Sequence, residues 1–224
     1  MHQAYSGMQL QVIPVTPFRQ NCSVLWDEAT RQAVVVDPGG DADVLAEFIR
    51  QNGLTVEAIL LTHGHLDHVG GVAALSRLLA KTQETPPVVI GPTVEDEFLL
   101  SSIENQARHF GLEGLENAKV DRYLAEGEQV KVAGRTFDVL HVPGHTPGHV
   151  VFVDKAARFA FVGDTLFRGT VGRTDFPYGD GHLLVRSIKE KLLPLGDDVV
   201  IMPGHGGSST LGAERMNNPF LCAG

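Results

Sequence analysis

Three histidines and one aspartate lie close together in the sequence Thr-His-Gly-His-Leu-Asp-His, which occupies residues 62–68. Imidazole and carboxylate groups crowded in this way are typical ligands of divalent metal ions. His63 and His65 can face one way, whereas Asp67 and His68 are neighbours that point in different directions as a helix begins. Four ligands that do not easily converge on one ion predict two ions close together, each completed from elsewhere.

The elements that carry these groups alternate between strands and helices. The 62–68 turn lies between a buried strand predicted at 56–61 and a helix predicted at 69–80. Later predicted strands also end in possible ligands, at the edge where open α/β sheets collect their chemistry. These ligands are His145 after strand 135–142, Asp164 after strand 158–162 and His205 after strand 199–202.

Asp37 ends a further predicted strand, 33–37, and two interpretations stay open for it. It either begins the Asp-Pro-Gly-Gly turn or orients a ligating histidine through its carboxylate, without binding the metal itself. His141 is interpreted as a packed or solvated residue rather than a ligand, and His149, which starts the next predicted strand, is not counted among the ligands. Asp96 falls among the acidic residues in the first turn of a helix predicted from Val94.

Length and composition predict a single α/β domain. The 224 residues, 43% of them hydrophobic, are enough for one sizeable core. We assign residues 8–224 to this domain and expect residues 1–7 to be a disordered or non-native end that forms neither strand nor helix. The polar segment 104–127 either shapes substrate access or is a plain surface excursion.

The charge and the apolar runs argue against several classes of protein. A formal net charge of −9 and the absence of a basic run disfavour nucleic-acid binding. The longest apolar runs fall far short of the roughly 20 residues that span a bilayer, and no signal-peptide pattern opens the chain. We therefore expect a cytoplasmic protein without nucleic-acid or membrane partners, whose oligomeric state the sequence leaves open.

Three motifs resemble the metallo-β-lactamase superfamily. They are the 62–68 turn, Pro-Gly-His-Thr-Pro-Gly-His at 143–149 and Gly-Asp-Thr-Leu-Phe at 163–167. Within that superfamily they resemble the glyoxalase II group, the hydroxyacylglutathione hydrolases. The chain ends soon after His205, so the likeness is to the short, single-domain type without the C-terminal helical domain. The resemblance implies an α/β fold arranged as a four-layer αββα sandwich.

The same resemblance implies a dinuclear site with two divalent ions, for which zinc is expected and iron or manganese is compatible with the same ligands. The implied ligands are His63, His65 and His145 for the first ion, Asp67, His68 and His205 for the second, and Asp164 as the bridge.

The implied reaction is hydrolysis of a small-molecule thioester, S-D-lactoylglutathione, to D-lactate and glutathione by a metal-bound hydroxide, a step of methylglyoxal detoxification. Asp67 and Asp164 are the catalytic carboxylates in this interpretation. Arg173 and Phe176 are the candidate substrate-binding residues. Arg173 pairs either with a glutathione carboxylate or, as a loop brace, with a nearby aspartate, Asp175 or Asp180.

The alternative interpretation is a persulfide dioxygenase, which oxidises glutathione persulfide with one iron held by two histidines and an aspartate. The sequence Gly-Arg-Thr-Asp-Phe at 172–176 also resembles a loop of those enzymes. They usually carry a cysteine where this chain has Val171, which weighs against the alternative. No feature points to lactonase or β-lactamase activity. A non-catalytic metal-binding module would be expected to have lost a ligand, and no candidate ligand is missing here.

Overall fold

Apolar and β-branched residues form short strands that pair into two main sheets. The computed structural model describes residues 3–5 and 7–222, and it describes side chains from residue 7 onward. The first sheet consists, in spatial order, of Gln3–Tyr5 (β1), Met8–Val15 (β2), Gln20–Asp27 (β3), Gln32–Val36 (β4), Thr55–Leu60 (β5) and Val88–Ile90 (β6).

The second sheet comes from the second half of the chain. Its strands are Gln129–Val132 (β7), Arg135–His141 (β8), Val150–Asp154 (β9), Phe159–Gly163 (β10), Val200–Pro203 (β13) and Ser209–Thr210 (β14), and Leu166–Phe167 (β11) and Thr170–Val171 (β12) form a separate hairpin. The spatial order of the sheet is β14-β13-β10-β9-β8-β7.

Parallel pairing aligns the strand ends that carry the candidate ligands. Strand β4 runs parallel to β5, and β10 runs parallel to β13. Backbone bonds then join the two halves at this edge, because Val150 N donates to Thr62 O at 2.8 Å and Asn21 N donates to Gly204 O at 2.7 Å. Loops from both sheets are therefore held side by side.

Helices cover the outer faces of the two sheets. They are Ala42–Gln51 (α1), Leu66–Val69 (α2), Val72–Leu79 (α3), Glu97–Leu100 (α4), Ile103–His109 (α5), Gly181–Ser187 (α6), Leu211–Asn217 (α7) and Pro219–Cys222 (α8). Among the described residues, no helix is long and apolar enough to cross a membrane.

Buried apolar side chains of the described residues form three clusters, one at each interface between layers. Leu45 and Leu75 belong to the cluster between the first sheet and its helices. Leu60 and Phe137 belong to the cluster between the sheets, and Leu184 belongs to the cluster under α6 and α7. This arrangement confirms the expected α/β fold, a four-layer αββα sandwich.

The N-terminal expectation is wrong for Gln3–Tyr5, which pairs antiparallel with Met8–Leu10 as strand β1. Gly7, with a φ of 83°, supplies the turn that folds the chain back onto β2. A turn of this kind leaves little pattern in so short a segment. Met1, His2 and Ser6, which belong to the same expectation for residues 1–7, lie outside the described residues.

The helix predicted at 69–80 forms as α3, Val72–Leu79, and a separate short helix, α2, precedes it and shares only Val69 with the predicted range. The two helices are separate because Gly71 N donates to Pro38 O at 3.0 Å instead of continuing the helix.

The polar segment 104–127 is helical only to His109. Its remainder packs on neighbouring elements, since Glu116 N donates to Gly70 O and Ala118 N donates to Leu100 O, both at 3.1 Å.

Gly39 offers a test of how closely the loops pack in this fold. A Cβ at this buried position would overlap the backbone carbonyl of Asp67. We expect Gly39→Ala to lower the free energy of unfolding by about 3 kcal/mol, the upper end of overpacking costs, as measured by urea denaturation. The control is Gly207→Ala, whose Cβ would lie 3.7 Å from the guanidinium of Arg168, an ordinary contact. Equal stability of the two variants would contradict this packing argument.

Candidate metal centre

Three imidazole rings converge at the edge where the two halves meet. His63 and His65 follow β5, and His145 follows β8. His65 Nδ1 lies 3.1 Å from His63 Nε2 and 3.0 Å from His145 Nε2. All three residues are buried, with at most 8% of their surface exposed. Three nitrogens of different rings thus face one common point.

Hydrogen bonds on the far side of two rings decide which nitrogen carries the proton. The Thr62 hydroxyl donates to Asp37 Oδ2 at 2.6 Å, so its oxygen accepts from His63 Nδ1 at 3.1 Å. His145 Nδ1 donates to the Arg173 carbonyl at 2.7 Å. Nε2 of His63 and Nε2 of His145 are therefore unprotonated, and their lone pairs point inward.

The third ring completes a set that suits a cation. His65 Nε2 lies 2.9 Å from the Tyr178 hydroxyl and donates to it when Nδ1 presents its lone pair inward. Burial lowers the pKa of His63, His65 and His145, that of His65 to about 3, so the rings are neutral. Three facing lone pairs repel one another, and a divalent ion bound between them would remove that repulsion.

A second cluster consists of Asp67, His68 and His205. Asp67 Oδ2 lies 3.1 Å from His205 Nε2. His68 Nδ1 donates to Asp37 Oδ2 at 2.9 Å, which turns Nε2 of the same ring toward the cluster. Among the described residues, His68 Nε2 and Asp164 Oδ1 are buried atoms that make no hydrogen bond, although they face each other at 3.3 Å. Unpartnered buried donors and acceptors of this kind fit a metal ion.

Asp164 lies between the two clusters. Its Oδ2 is 3.7 Å from His145 Nε2 and 3.6 Å from His205 Nε2, and its Oδ1 is 3.3 Å from His68 Nε2. The backbone N–H of Asp164 donates to His149 Nε2 at 3.0 Å, so His149 supports this loop from behind. One carboxylate thus faces histidines of both clusters.

The electrostatics of the second cluster favour positive charge. Burial alone would lower the pKa of His68, but the carboxylates of Asp164, Asp37 and Asp67 raise it well above the usual value. The excess negative charge that attracts a proton to His68 would equally attract a divalent cation. The donor types, the unpartnered atoms and the charge together fit divalent metal ions, and the same donors suit zinc and iron.

The structure brings together the seven residues predicted as ligands and places Asp37 against His68. Arg173 and Phe176 lie at the rim. The Arg173 guanidinium donates to both carboxylate oxygens of Asp175, at 2.7 and 2.8 Å, and lies 4.5 Å from the centre of the Phe176 ring. Of the two interpretations of Arg173, this geometry matches the loop brace, with Asp175 as the partner.

An aromatic wall, formed by Phe98, Phe176 and Tyr178, stands beside the first cluster. The rings of Phe176 and Tyr178 stack with 5.3 Å between centroids, and Phe98 meets Tyr178 edge-on at 5.3 Å. The Phe176 ring lies 4.8 Å from that of His65. Phe98 and Tyr178 were not predicted as site residues, although the aromatic spacing of Phe176 and Tyr178 next to Arg173 was a usable signal.

Asp96 was also missed as a site residue. It lies in the first turn of the helical segment that begins at Val94, as predicted, but its side chain makes no capping bond to the helix that follows. The side chain is fully buried and accepts from Gly64 N at 2.8 Å, Thr146 Oγ1 at 2.7 Å and Gly148 N at 2.6 Å. Burial raises the pKa of Asp96, and the three donors oppose that shift. The glycines in both histidine loops were the available signal, because they allow another group to approach closely.

Comparison with known proteins assigns the chain to one family. The profile of the metallo-beta-lactamase superfamily matches residues 15–205. The hydroxyacylglutathione hydrolase GloC of Haemophilus influenzae is 46% identical to this chain, over 96% of the chain and 98% of its own length. This relative is therefore also a short protein.

Two solved structures are similar over almost the whole chain. The B3 metallo-beta-lactamase BLEG-1 has a TM-score of 0.85 and 35% identity, and the match covers 96% of this chain and 100% of that one. TTHA1623, solved in a di-iron-bound form, has a TM-score of 0.81 and 37% identity, with coverage of 94% and 100%. The chain belongs to the metallo-beta-lactamase superfamily and is a metal-dependent hydrolase.

Proposed function

We propose that this enzyme hydrolyses thioesters and that its substrate is S-D-lactoylglutathione, which it converts to D-lactate and glutathione. The observation that carries the proposal is the pair of donor clusters on either side of Asp164. The relative GloC, named a hydroxyacylglutathione hydrolase, supports the choice of substrate. We place the reaction in the cytoplasm, where glutathione is kept reduced.

Two divalent ions are the proposed cofactors, and zinc is the metal we expect. The first would be held by His63, His65 and His145, the second by Asp67, His68 and His205, and Asp164 would contact both. When bound, such ions lower the pKa of a water to about 7 and polarise a carbonyl oxygen. The di-iron form of TTHA1623 makes iron the alternative metal.

The protein groups around the clusters orient the ligands rather than react. Asp37 fixes the tautomer of His68 directly and that of His63 through Thr62. The Arg173 carbonyl does the same for His145. In this arrangement Asp67 and Asp164 remain ionised, because nearby histidines lower the pKa of both carboxyls against the effect of burial.

The aromatic wall is the side on which we expect the acylated thiol to bind. When the Tyr178 oxygen accepts the His65 proton, its own hydrogen is free to donate to a substrate oxygen. Phe176 offers an apolar face beside His65. Arg173 can meet a substrate carboxylate only by sharing its guanidinium with Asp175.

No strong general acid is required for this reaction. A thiolate leaves readily from a tetrahedral intermediate, unlike an amide nitrogen, so protonation of the leaving group contributes little to the rate. The described residues of the two clusters supply bases and metal ligands, not an acid. Thioesters therefore suit this site better than amides do.

The test is hydrolysis of S-D-lactoylglutathione by metal-loaded protein, followed by loss of thioester absorbance. We expect turnover that a chelator abolishes and that added zinc restores. Asp67→Ala should lower kcat/KM by more than the roughly 10–100-fold that follows loss of a residue that only orients a metal ligand. Full activity of Asp67→Ala would mean that the site has been misread.

Two other substrates distinguish the competing reactions. Oxygen consumption with glutathione persulfide by iron-loaded protein, without thioester hydrolysis, would replace the proposal with the dioxygenase alternative. Cleavage of a chromogenic cephalosporin at a higher kcat/KM than the thioester would favour β-lactam hydrolysis, the activity named for BLEG-1. We expect neither result.

Asp37→Asn gives a second prediction. His68 Nδ1, the Thr62 hydroxyl and the Thr62 backbone N–H all donate to the Asp37 carboxylate. In either orientation, an asparagine amide would present its own N–H group to at least one of these donors. We expect zinc affinity to fall about 10–100-fold, measured by competition with a chromogenic chelator. Asp154→Asn is the control, since Asp154 is equally buried but pairs with Arg135. Unchanged zinc affinity in Asp37→Asn would show that Asp37 does not orient the metal ligands.

A further inference from the structure

Asp96 is a buried charged residue that the proposed chemistry does not use. It lies at the end of a 3-10 turn, Val94–Asp96, that follows strand β6. Its side chain makes no capping bond to the helix that begins next to it. All three of its side-chain hydrogen bonds go instead to two distant loops, 32, 50 and 52 residues away in sequence.

These two loops carry the first donor cluster. Gly64, which donates to Asp96 Oδ2, stands between His63 and His65. The second loop holds His145, and it contacts the same carboxylate through Thr146 Oγ1 on Oδ2 and Gly148 N on Oδ1. One carboxylate therefore joins the backbone of the His63–His65 turn to that of the His145 loop.

The approach of this carboxylate depends on the two glycines. A Cβ on Gly148 would lie 2.8 Å from Asp96 Oδ1, and a Cβ on Gly64 would lie 3.3 Å from Asp96 Cβ and 2.7 Å from Leu99 Cβ. The distances of 2.7 and 2.8 Å are too short for a Cβ contact, and the distance of 3.3 Å is a tight one. The histidine loops thus carry glycine at the points where the carboxylate contacts them.

We propose that Asp96 is a positioning residue that sets the distance between the His63–His65 turn and the His145 loop, and thereby the affinity of the first cluster for a divalent cation. Its side-chain hydrogen bonds go to Gly64, Thr146 and Gly148 and to none of the three imidazoles. The second cluster has no hydrogen bond to it among the described residues. The effect of Asp96 is therefore selective for one cluster. The inference rests on the proposed function only in requiring that the clusters bind metal.

The experiment titrates metal-free protein with Co²⁺ and follows its visible absorption in two backgrounds. Asp67→Ala leaves the first cluster complete, and His145→Ala leaves the second complete. We expect Asp96→Asn to weaken Co²⁺ binding about 10–100-fold in the Asp67→Ala background. In the His145→Ala background it should change the affinity by less than about twofold, because its hydrogen bonds end on the first cluster's loops.

Two further variants keep the test decisive. Asp154→Asn, a buried carboxylate paired with Arg135 away from the histidine loops, should leave both affinities unchanged. Thr146→Val removes the hydroxyl that donates to Asp96 and keeps a side chain of similar shape. This variant therefore replaces Asp96→Asn in the test if Asp96→Asn does not fold. We expect it to weaken the first cluster by about two- to tenfold, the value of one hydrogen bond.

Each contrary outcome has one meaning. Equal weakening of both clusters by Asp96→Asn, or weakening of the first cluster to the same extent by Asp154→Asn, would show that Asp96 only stabilises the fold. Unchanged Co²⁺ binding in Asp96→Asn and Thr146→Val would also overturn the inference. Selective weakening of the first cluster in a protein that does not hydrolyse S-D-lactoylglutathione would support the role of Asp96 and reject the proposed substrate.

Discussion

Three unprotonated imidazole nitrogens held 3.0 and 3.1 Å apart, away from water, are the constraint on which the site depends. Each nitrogen is fixed by a partner on the opposite side of its ring: Thr62, Tyr178 or the carbonyl of Arg173. Such an arrangement is unfavourable by itself and becomes favourable around a cation. The outer partners therefore matter as much as the ligands, because they determine which nitrogen faces inward.

The fold satisfies this constraint by aligning the ends of strands from two sheets. Parallel pairing within each sheet brings loops of one half to one edge, and backbone bonds such as that from Val150 to Thr62 join the halves. Close approaches of Gly39 to Asp67 and of Gly172 to Asp164 set how near the loops can come. Packing of the whole sandwich thus fixes the positions of a few ring atoms.

The sequence was sufficient for the fold class, and it pointed to the seven residues that the structure brings together, because both follow from local patterns: apolar runs that end in histidine or aspartate, and motifs that resemble a known family. It was not sufficient for Asp96 or Tyr178, whose partners lie 32 residues or more away and leave no local spacing. An acidic residue after Thr93 has the pattern of a helix start whether it is exposed or buried. Strand β1 was missed for a related reason, since only its pairing through the Gly7 turn defines it.

The central claim is that the two donor clusters bind two metal ions. Anomalous diffraction at the zinc edge, from crystals of protein loaded with zinc, tests it most directly. The account predicts two peaks, one among His63, His65 and His145 and the other among Asp67, His68 and His205, with Asp164 in contact with both ions. A single peak in fully loaded protein, or no peak at either cluster, would contradict it.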